Sequence, residues 1–403
     1  SYGSLGNQNT SSLYPTYSTI GTGTGSWIID GTLANIAWAP SLVSYNLSWE
    51  KIRTWNAGVD FGLFNNRLTG SFDYYIRKTD DMVGPSEKLP VVLGTAVPSS
   101  NNTNLKTFGW ELELMWIDRL NNGLNYSARF TLADSRTKIT RYSNPSGLID
   151  GFYAGKYVGE IWGYETIGIA QSDQEMAEHI GRLINGGQSN LGQDWKAGDI
   201  MYKDLNEDGK IDAGSHTLQD HGDLKRIGNS TPRYNVGLEL AADWKGFDIR
   251  MFWQGTLKRD YFQGSYYFWG ANGRQGPWFS TALKGHDDYF RNDEASPLGT
   301  NLNSYYPRPL FNTDKNQQSQ TKYLQDASYL RLKNLQIGYS LPHNIVQKMG
   351  MQHLRIFASG ENLFTITSLI DFFDPESIEG GSWGHGNVYP LSRTFSFGLN
   401  VTF

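Results

Sequence analysis

The chain of 403 residues contains no cysteine, so no thiolate is available as nucleophile or metal ligand. That absence is compatible with an envelope location. No run of about 18 apolar residues occurs, which excludes a helical membrane span. Ser1 is not an initiator methionine, and no charged-then-apolar signal segment follows it. The chain therefore reads as mature, trimmed or a piece of something longer. The formal charge is only -5 and no basic patch is present, so no nucleic-acid partner is expected. There is no Gly-x-Ser-x-Gly elbow and no phosphate-binding glycine loop between strand and helix. The seven histidines form no ligand set, and His216 and His221, five apart, read as solvated surface. Acidic residues on strands are too numerous for a glycosidase pair to be singled out. No enzymatic activity is expected.

What is present is alternation. Phe395, Phe397, Leu399, Val401 and Phe403 alternate with Thr394, Ser396, Gly398, Asn400 and Thr402. A period of two makes one strand face apolar and the other small and polar. The same pattern recurs in residues 55–63, 68–76, 108–116, 124–132, 234–242 and 247–253. Residues 329–339 and 353–362 continue it less cleanly, with a phase slip near Asn334 that predicts a bulge. Each run is about 9–11 residues, the length a tilted strand needs to cross a bilayer. The second face carries Asp60, Arg67, Asp73, Glu111, Glu113, Arg129, Glu239 and Arg250. Charges face lipid only at high cost, so these eight are expected to face a wet lumen or a plug.

The connections are lopsided. Asn65-Asn66, Asn121-Asn122-Gly123 and Lys245-Gly246 are tight hairpin signals. Residues 342–351 form a modest connector. Residues 78–106, 134–231, 258–327 and 364–391 are long. Short turns alternating with long loops is the asymmetry of outer-membrane barrels. The expectation is an all-β, antiparallel transmembrane β-barrel with long extracellular loops, residues 134–231 being the longest. About ten strands are present. Ten could close alone, but Ser1-Tyr2-Gly3-Ser4-Leu5-Gly6 reads as a strand entered midway, which favours the C-terminal portion of a larger barrel.

Several phrases carry a family resemblance. They are Tyr2-Gly3-Ser4-Leu5-Gly6-Asn7-Gln8-Asn9, Trp49-Glu50-Lys51, Gly62-Leu63-Phe64-Asn65-Asn66-Arg67-Leu68 and Asp73-Tyr74-Tyr75. Further on come Gly159-Glu160-Ile161-Trp162-Gly163-Tyr164, Tyr329-Leu330-Arg331-Leu332-Lys333-Asn334-Leu335, Gly360-Glu361-Asn362-Leu363-Phe364 and Tyr389-Pro390-Leu391-Ser392-Arg393. In this order they resemble the SusC/RagA-like TonB-dependent outer-membrane transporters. The resemblance implies a barrel of roughly 22 strands plugged by an N-terminal domain. It also implies energised import of large nutrients across the outer membrane of a Gram-negative bacterium, with oligosaccharides favoured over peptides. A SusD-like surface lipoprotein would cap the barrel, and TonB would act through the N-terminal portion. The wall charges would hold the plug by polar contacts. A passive porin and a soluble or surface β-rich glycan-binding protein remain as alternatives.

The sharpest chemical motif runs from Asp204 to Asp212. Oxygen side chains of Asp204, Asn206, Asp208 and Asp212 fall at positions 1, 3, 5 and 9 of a calcium loop. Gly209 stands at position 6, and the Lys210 carbonyl at 7. Position 12 is Ser215 instead of a bidentate Glu, a gap that Asp220 or Asp223 could fill. The flanks are not clearly helical. The site is read as structural Ca2+ ordering a long loop, against a plain polar turn. Residues 172–184 predict an amphipathic helix, with Ser172 and Glu175 as capping box and Met176, Ile180, Leu183 and Ile184 on one face. It either packs the loop or meets the lid protein. Tyr266, Tyr267 and Trp269, with Trp278 nearby and Trp383 further on, are aromatic loop residues. Loop packing, lid contact and substrate contact stay open for them.

Overall fold

The computed structural model describes residues 1–8, 16–40, 42–84, 97–270, 282–311, 313–380, 386 and 388–403. In chain order the first strands are β1 (Tyr2–Asn7), β2 (Thr22–Ile29), β3 (Thr32–Ala37), β4 (Glu50–Leu63), β5 (Leu68–Gly84), β6 (Ser100–Arg119) and β7 (Asn125–Arg141). Then come β8 (Glu160–Tyr164), β9 (Thr166–Ile169), helix α1 (Asp173–Arg182), β10 (Ile200–Tyr202) and β11 (Leu224–Asn229). β12 (Arg233–Trp244), β13 (Phe247–Lys258), β14 (Asp260–Phe262) and α2 (Tyr266–Trp269) follow. The chain ends with β15 (Leu324–Asp326), β16 (Tyr329–Ser340), α3 (His343–Val346), β17 (His353–Glu361), β18 (Thr365–Thr367) and β19 (Thr394–Thr402).

Ten strands form one sheet in the order β1-β4-β5-β6-β7-β12-β13-β16-β17-β19, with β18 added to β16. Four small two-stranded sheets, β2-β3, β8-β11, β9-β10 and β14-β15, belong to the long connections. By contacts the chain divides into two compact units. One comprises Ser1–Gly58, Asp73–Trp110 and Ser135–Val158. The other comprises Val59–Phe72, Glu111–Asp134 and Gly159–Phe403.

The register bears out the alternation. Leu238 stands opposite Phe130 on β7 and Trp253 on β13, while its neighbour Glu239 stands opposite Arg129 and Phe252. Among the described residues nothing covers the apolar face at Phe397, 85% exposed, or at Val59, 55% exposed. In water such a face would be a liability. In hydrocarbon it is the solvated surface.

The tight turns form where expected. Lys245 (φ 50°) and Gly246 (φ 90°) close a two-residue turn between the paired Trp244 and Phe247. Two consecutive positive φ values match the right-handed twist of the flanking strands. A side chain at Gly246 would also collide with the Ser340 carbonyl. The phase slip is a bulge: Phe252 pairs with Asn334 and Trp253 with Leu332, leaving Lys333 as the extra residue.

Strand length departs from expectation. β5, β6 and β7 have 17, 20 and 17 residues, well beyond 9–11. Twenty residues at about 3.3 Å each make roughly 65 Å of strand, more than a tilted crossing of a ~30 Å hydrocarbon core requires. The alternation marks only the part that meets lipid, and the ladders continue past it with mixed polarity. The long connections are correspondingly shorter at their N-terminal ends: β5 runs to Gly84, and the segment expected at 134–231 lies between Arg141 and Arg233.

The largest fully buried side chains include Tyr202, Tyr323, Phe268, Met176, Ile200 and Ile211, all in the long connections. Among the described residues the core is therefore built mainly by the loops, with Ile139 of β7 and Leu332 of β16 joining it from the wall. The wall buries its apolar face elsewhere.

This arrangement yields a face-specific expectation. Leu238→Arg should destabilise the protein by about 2–4 kcal/mol if Leu238 lies near the bilayer midplane. Gln254→Glu, on the opposite face beside Arg331, should change stability little. Urea titration of the protein folded into lipid vesicles checks both, and equal effects would refute the assignment of faces.

Candidate functional site

The wall charges were expected to share one polar face, and several meet there. Arg129 on β7 donates to Glu113 on β6 through two parallel bonds, Nε–Oε1 at 3.1 Å and Nη2–Oε2 at 2.8 Å. Glu239 on β12 stands directly across from Arg129. Two carboxylates thus bracket one guanidinium across three strands, and the bidentate fork fixes its orientation. Asp73 lies against Gly58, its carboxylate filling the space that a side chain there would need. Arg250 stands opposite Ala241 and Gln336. Arg67 lies in the turn before β5 and pairs with Asp118 at 3.4 Å. Asp60 and Glu111 lie exposed on β4 and β6.

Among the wall pairs that sequence reasoning missed, two join strands far apart in sequence. Arg355 on β17 is held by Asp248 on β13 and by Gln336 Oε1 at 3.1 Å. Arg233 grips Asp134 through a bidentate contact. Their partners are 107 and 99 residues apart, so no local spacing advertises them.

The connection between β7 and β12 is a folded piece. Ser172 caps α1 by accepting the Glu175 N–H at 3.1 Å. Glu175 reaches back one residue further than a capping box requires, accepting the Gln171 N–H at 2.7 Å. Met176 packs with Ala170 and Met201, flanked by Ile180 and Trp195. Leu183 is buried, but Ile184 is 83% exposed, because the helix ends at Arg182. Buried Gln188 ties the piece together, donating to the Ile200 carbonyl and accepting the Tyr202 N–H. Tyr202 is fully buried and donates its hydroxyl to the Lys315 carbonyl at 2.7 Å. Burial pushes that phenol well above its ordinary range.

The calcium-type turn docks on the segment after α1. Ile211 is fully buried and its N–H donates to the Gly187 carbonyl at 2.7 Å. Asp204 Oδ2 accepts the Gly209 N–H at 2.8 Å, while buried Oδ1 has no hydrogen-bond partner. Asn206 Oδ1 accepts the Asp208 N–H, and Asp208 Oδ1 accepts the Lys210 N–H. The Lys210 ammonium lies 2.6 Å from Asp212 Oδ2 and 3.7 Å from Asp208 Oδ2. Asp223, wholly buried, ties both ends of the turn by accepting the Leu205 and Asp212 N–H groups at 2.7 and 2.9 Å. Burial raises its carboxyl above the usual range, and nearby Asp204 and Asp208 add to that. Asp220 instead binds Ser215, whose hydroxyl and N–H hold its carboxyl low. Among the described residues no group of three or more His, Cys, Asp or Glu is gathered into a metal-binding arrangement. The acidic side chains are engaged by backbone N–H groups and by Lys210.

Of the aromatic candidates, Trp269 is buried at the end of α2 with Phe268. Trp269 meets Tyr323 at 4.7 Å and Tyr306 at 6.3 Å between ring centroids. Tyr266 and Tyr267 are half-buried and stack on each other at 4.3 Å. Trp278 and Trp383 lie outside the described residues. His286 clips α2 to the following segment: Nδ1 accepts the Leu283 N–H, and Nε2 lies 3.0 and 3.1 Å from the Tyr267 and Phe268 carbonyls. Burial lowers its pKa and keeps the ring neutral. A cavity of about 300 Å³ opens beside it, lined by Trp269, Tyr289, Tyr306, Pro309 and Phe311 among others.

Two phenols make a contrasting pair. Tyr306 is buried with no partner for its hydroxyl, whereas Tyr202 uses its own. Tyr202→Phe should cost about 1–1.5 kcal/mol, while Tyr306→Phe should be neutral or slightly stabilising. Hydrogen exchange of the amides in β9 and β10 for the first variant, and in α2 for the second, reads the effect. A larger loss for Tyr306→Phe would contradict the packing described.

No protein-family model matches the chain. TonB-dependent receptor P3 of Formosa agariphila is 29% identical over 380 residues, 89% of this chain and 34% of its own length. TonB-dependent receptor SusC of Bacteroides thetaiotaomicron is 26% identical over 373 residues, 90% of this chain and 33% of its own. The chain thus spans about a third of the length of these relatives. Among solved structures, the RagAB peptide transporter matches over 100% of this chain and 40% of its own, with a TM-score of 0.70 and 23% identity. Such a likeness fixes the fold as an antiparallel barrel wall. The two sequence relatives are named as receptors and the solved structure as a transporter. In sequence and fold the chain is similar to a C-terminal barrel portion of SusC/RagA-like TonB-dependent outer-membrane receptors of Gram-negative bacteria.

Proposed function

We propose that the chain supplies part of the wall and several outer loops of an energised importer of large nutrients. The observation that carries this reading is the two-faced strand. Leu238, Leu240 and Ala242 turn to one side, and Glu239 turns to the other to join Arg129 and Glu113. The apolar side suits outer-membrane lipid. The charged side suits an N-terminal plug held by exchangeable polar contacts. A plug held by exposed ion pairs comes away at low cost, because each such pair is worth only about 0–1 kcal/mol. TonB, acting through the N-terminal portion, would pull on the plug, and a SusD-like surface lipoprotein would close over the outer loops. Those loops have their own buried core, so they offer a lid a preformed surface. The cargo is an oligosaccharide or a peptide. The aromatic outer loops favour the oligosaccharide, and RagAB, described as a peptide transporter, keeps the peptide in view.

Uptake of labelled cargo by cells is the test. Removing the gene should abolish uptake, and collapsing the proton-motive force should stop it. Uptake that continues after collapse would overturn energised import and leave a passive porin. Extraction of the outer membrane should also recover the plug portion and a surface lipoprotein with this chain.

We infer further that the 204–223 turn takes a calcium ion that orders its loop. Support comes from the oxygen spacing and from the buried, unpartnered Oδ1 of Asp204. Asp204, Asn206, Asp208 and Asp212 with the Lys210 carbonyl would hold the ion. Asp220 or Asp223 would complete the set. The ion would supply charge neutralisation among these acids, the part the Lys210 ammonium otherwise plays. Calcium at about 100 times its Kd should stabilise this loop by about 2.7 kcal/mol. Hydrogen exchange across residues 204–223 with calcium and with chelator checks it. Asp204→Asn should weaken the effect, and identical exchange in both conditions would refute the site.

A further inference from the structure

After β17 the chain, through residue 380, folds back across the polar face of the wall and is pinned there by charge. β18 continues the line of β17 along β16 after a kink at Asn362, whose φ is 51°. The chain then turns, and three carboxylates within six residues meet three cations. Arg331 on β16 donates from Nη2 to Asp374 Oδ2 at 2.6 Å. Its Nη1 lies 2.9 Å from Glu376 Oε1, off the hydrogen-bond direction, so that contact is ionic only. Lys333 Nζ reaches both oxygens of Glu376, at 3.3 and 3.1 Å. Arg259, just after β13, pairs with Glu379 at 2.6 Å and approaches the Pro375 carbonyl at 3.4 Å.

The cations belong to the wall and its margin, and the anions to the returning connection. Arg331 stands opposite Gln254, on the face shared with Arg250 and opposite to Met251 and Trp253. The bulge at Lys333 keeps Arg331, Lys333 and Asn334 on this face before Leu335 resumes the apolar one. Leu369, Phe373 and Ile378 are buried, and Phe372 packs on His286 at 5.0 Å. The segment is therefore seated by side chains at both ends of the charged stretch.

We propose that residues 369–380 form a strap, latched by Asp374, Glu376 and Glu379 onto Arg331, Lys333 and Arg259, that must release for cargo to pass along this part of the wall. Arg331 is 3% exposed and Arg259 7%. Cations so buried are costly to leave unpaired, so the strap has two states, latched or fully released, with little between. The purpose given to the strap rests on the importer reading. The latch itself does not.

Two measurements on the intact transporter test it. Chymotrypsin cuts after phenylalanine, and Phe373 is buried while the strap is down. In Asp374→Asn/Glu376→Gln, cleavage at Phe372 and Phe373 should rise by roughly tenfold or more over wild type. Unchanged cleavage in a folded variant overturns the latch. The second measurement pairs Lys333→Cys with Glu376→Cys, joined by a reductant-cleavable bifunctional thiol crosslinker. The chain has no other cysteine, so the link is specific within it. The linked transporter should lose uptake relative to the same variant before linking and regain that level on reduction, whereas neither single-cysteine variant should lose uptake on treatment with the crosslinker. A linked transporter that imports like wild type overturns the strap. Failure of wild type itself to import would sink the importer reading instead, leaving the cleavage result to judge the latch.

Discussion

Everything in this structure follows from one constraint: in hydrocarbon, a backbone N–H or C=O has no water to turn to. Each must find a partner in the chain. The chain lacks an apolar run long enough for a helix, so the partner has to be another strand. Hence the continuous strand order from β1 to β19, and hence the period of two along the stretches of strand that meet lipid. The turns obey the same demand. Lys245 and Gly246 adopt positive φ because the ladder from Trp244 to Phe247 must close without loss of a pair. Even the bulge at Lys333 shifts phase while keeping bonds on both sides of it.

Once the backbone is satisfied, the side chains divide the work. Lipid solvates one face, so it has no packing partner within the described protein, and Phe397 or Val59 stays open. Compactness must come from elsewhere, and here the long connections provide it. Asp199 shows how. It is wholly buried and receives Arg308 through two bonds of 2.7 and 2.8 Å, Asn316 at 2.9 Å and Lys315 at 2.9 Å. Burial opposes the carboxylate, but Arg308, Asn316 and Lys315 together hold its pKa below the usual range. Such a cluster is stable only when fully paired. It joins segments more than a hundred residues apart into one piece.

Much of this was legible in the residues. The alternation announced the wall strands, the Asn- and Gly-bearing dipeptides announced the turns, and a phase slip at Asn334 announced the bulge. These are local signals, and the physics behind them is local. Strand length was not legible, because beyond the lipid the ladder no longer needs an apolar face and the pattern fades while the strand goes on. The helix was placed to within a residue or two, yet Ile184 fell outside it, since periodicity cannot see where the last turn frays. Of the wall charges, Glu113, Arg129 and Glu239 came together as their shared face implied. Arg355 with Asp248, Arg233 with Asp134, and Arg331 with Asp374 escaped notice, being pairs set by fold and not by spacing.

The two kinds of charge pair on the polar face have different physical standing, and that difference bears on function. Arg129 and Glu113 are well exposed, so water competes for both and their bond exchanges readily. Arg331 and Asp374 are nearly dry, so neither gives up the other without a replacement. A moving part should rest on the first kind, and a part that holds a position until a definite event should rest on the second. The exposed pair joins two strands of the wall. Buried pairs hold the strap. A uniform porous channel gains nothing from dry ion pairs on a returning loop, since open water would neutralise its wall at no cost. Dry pairs of this kind are what the strap proposed above requires.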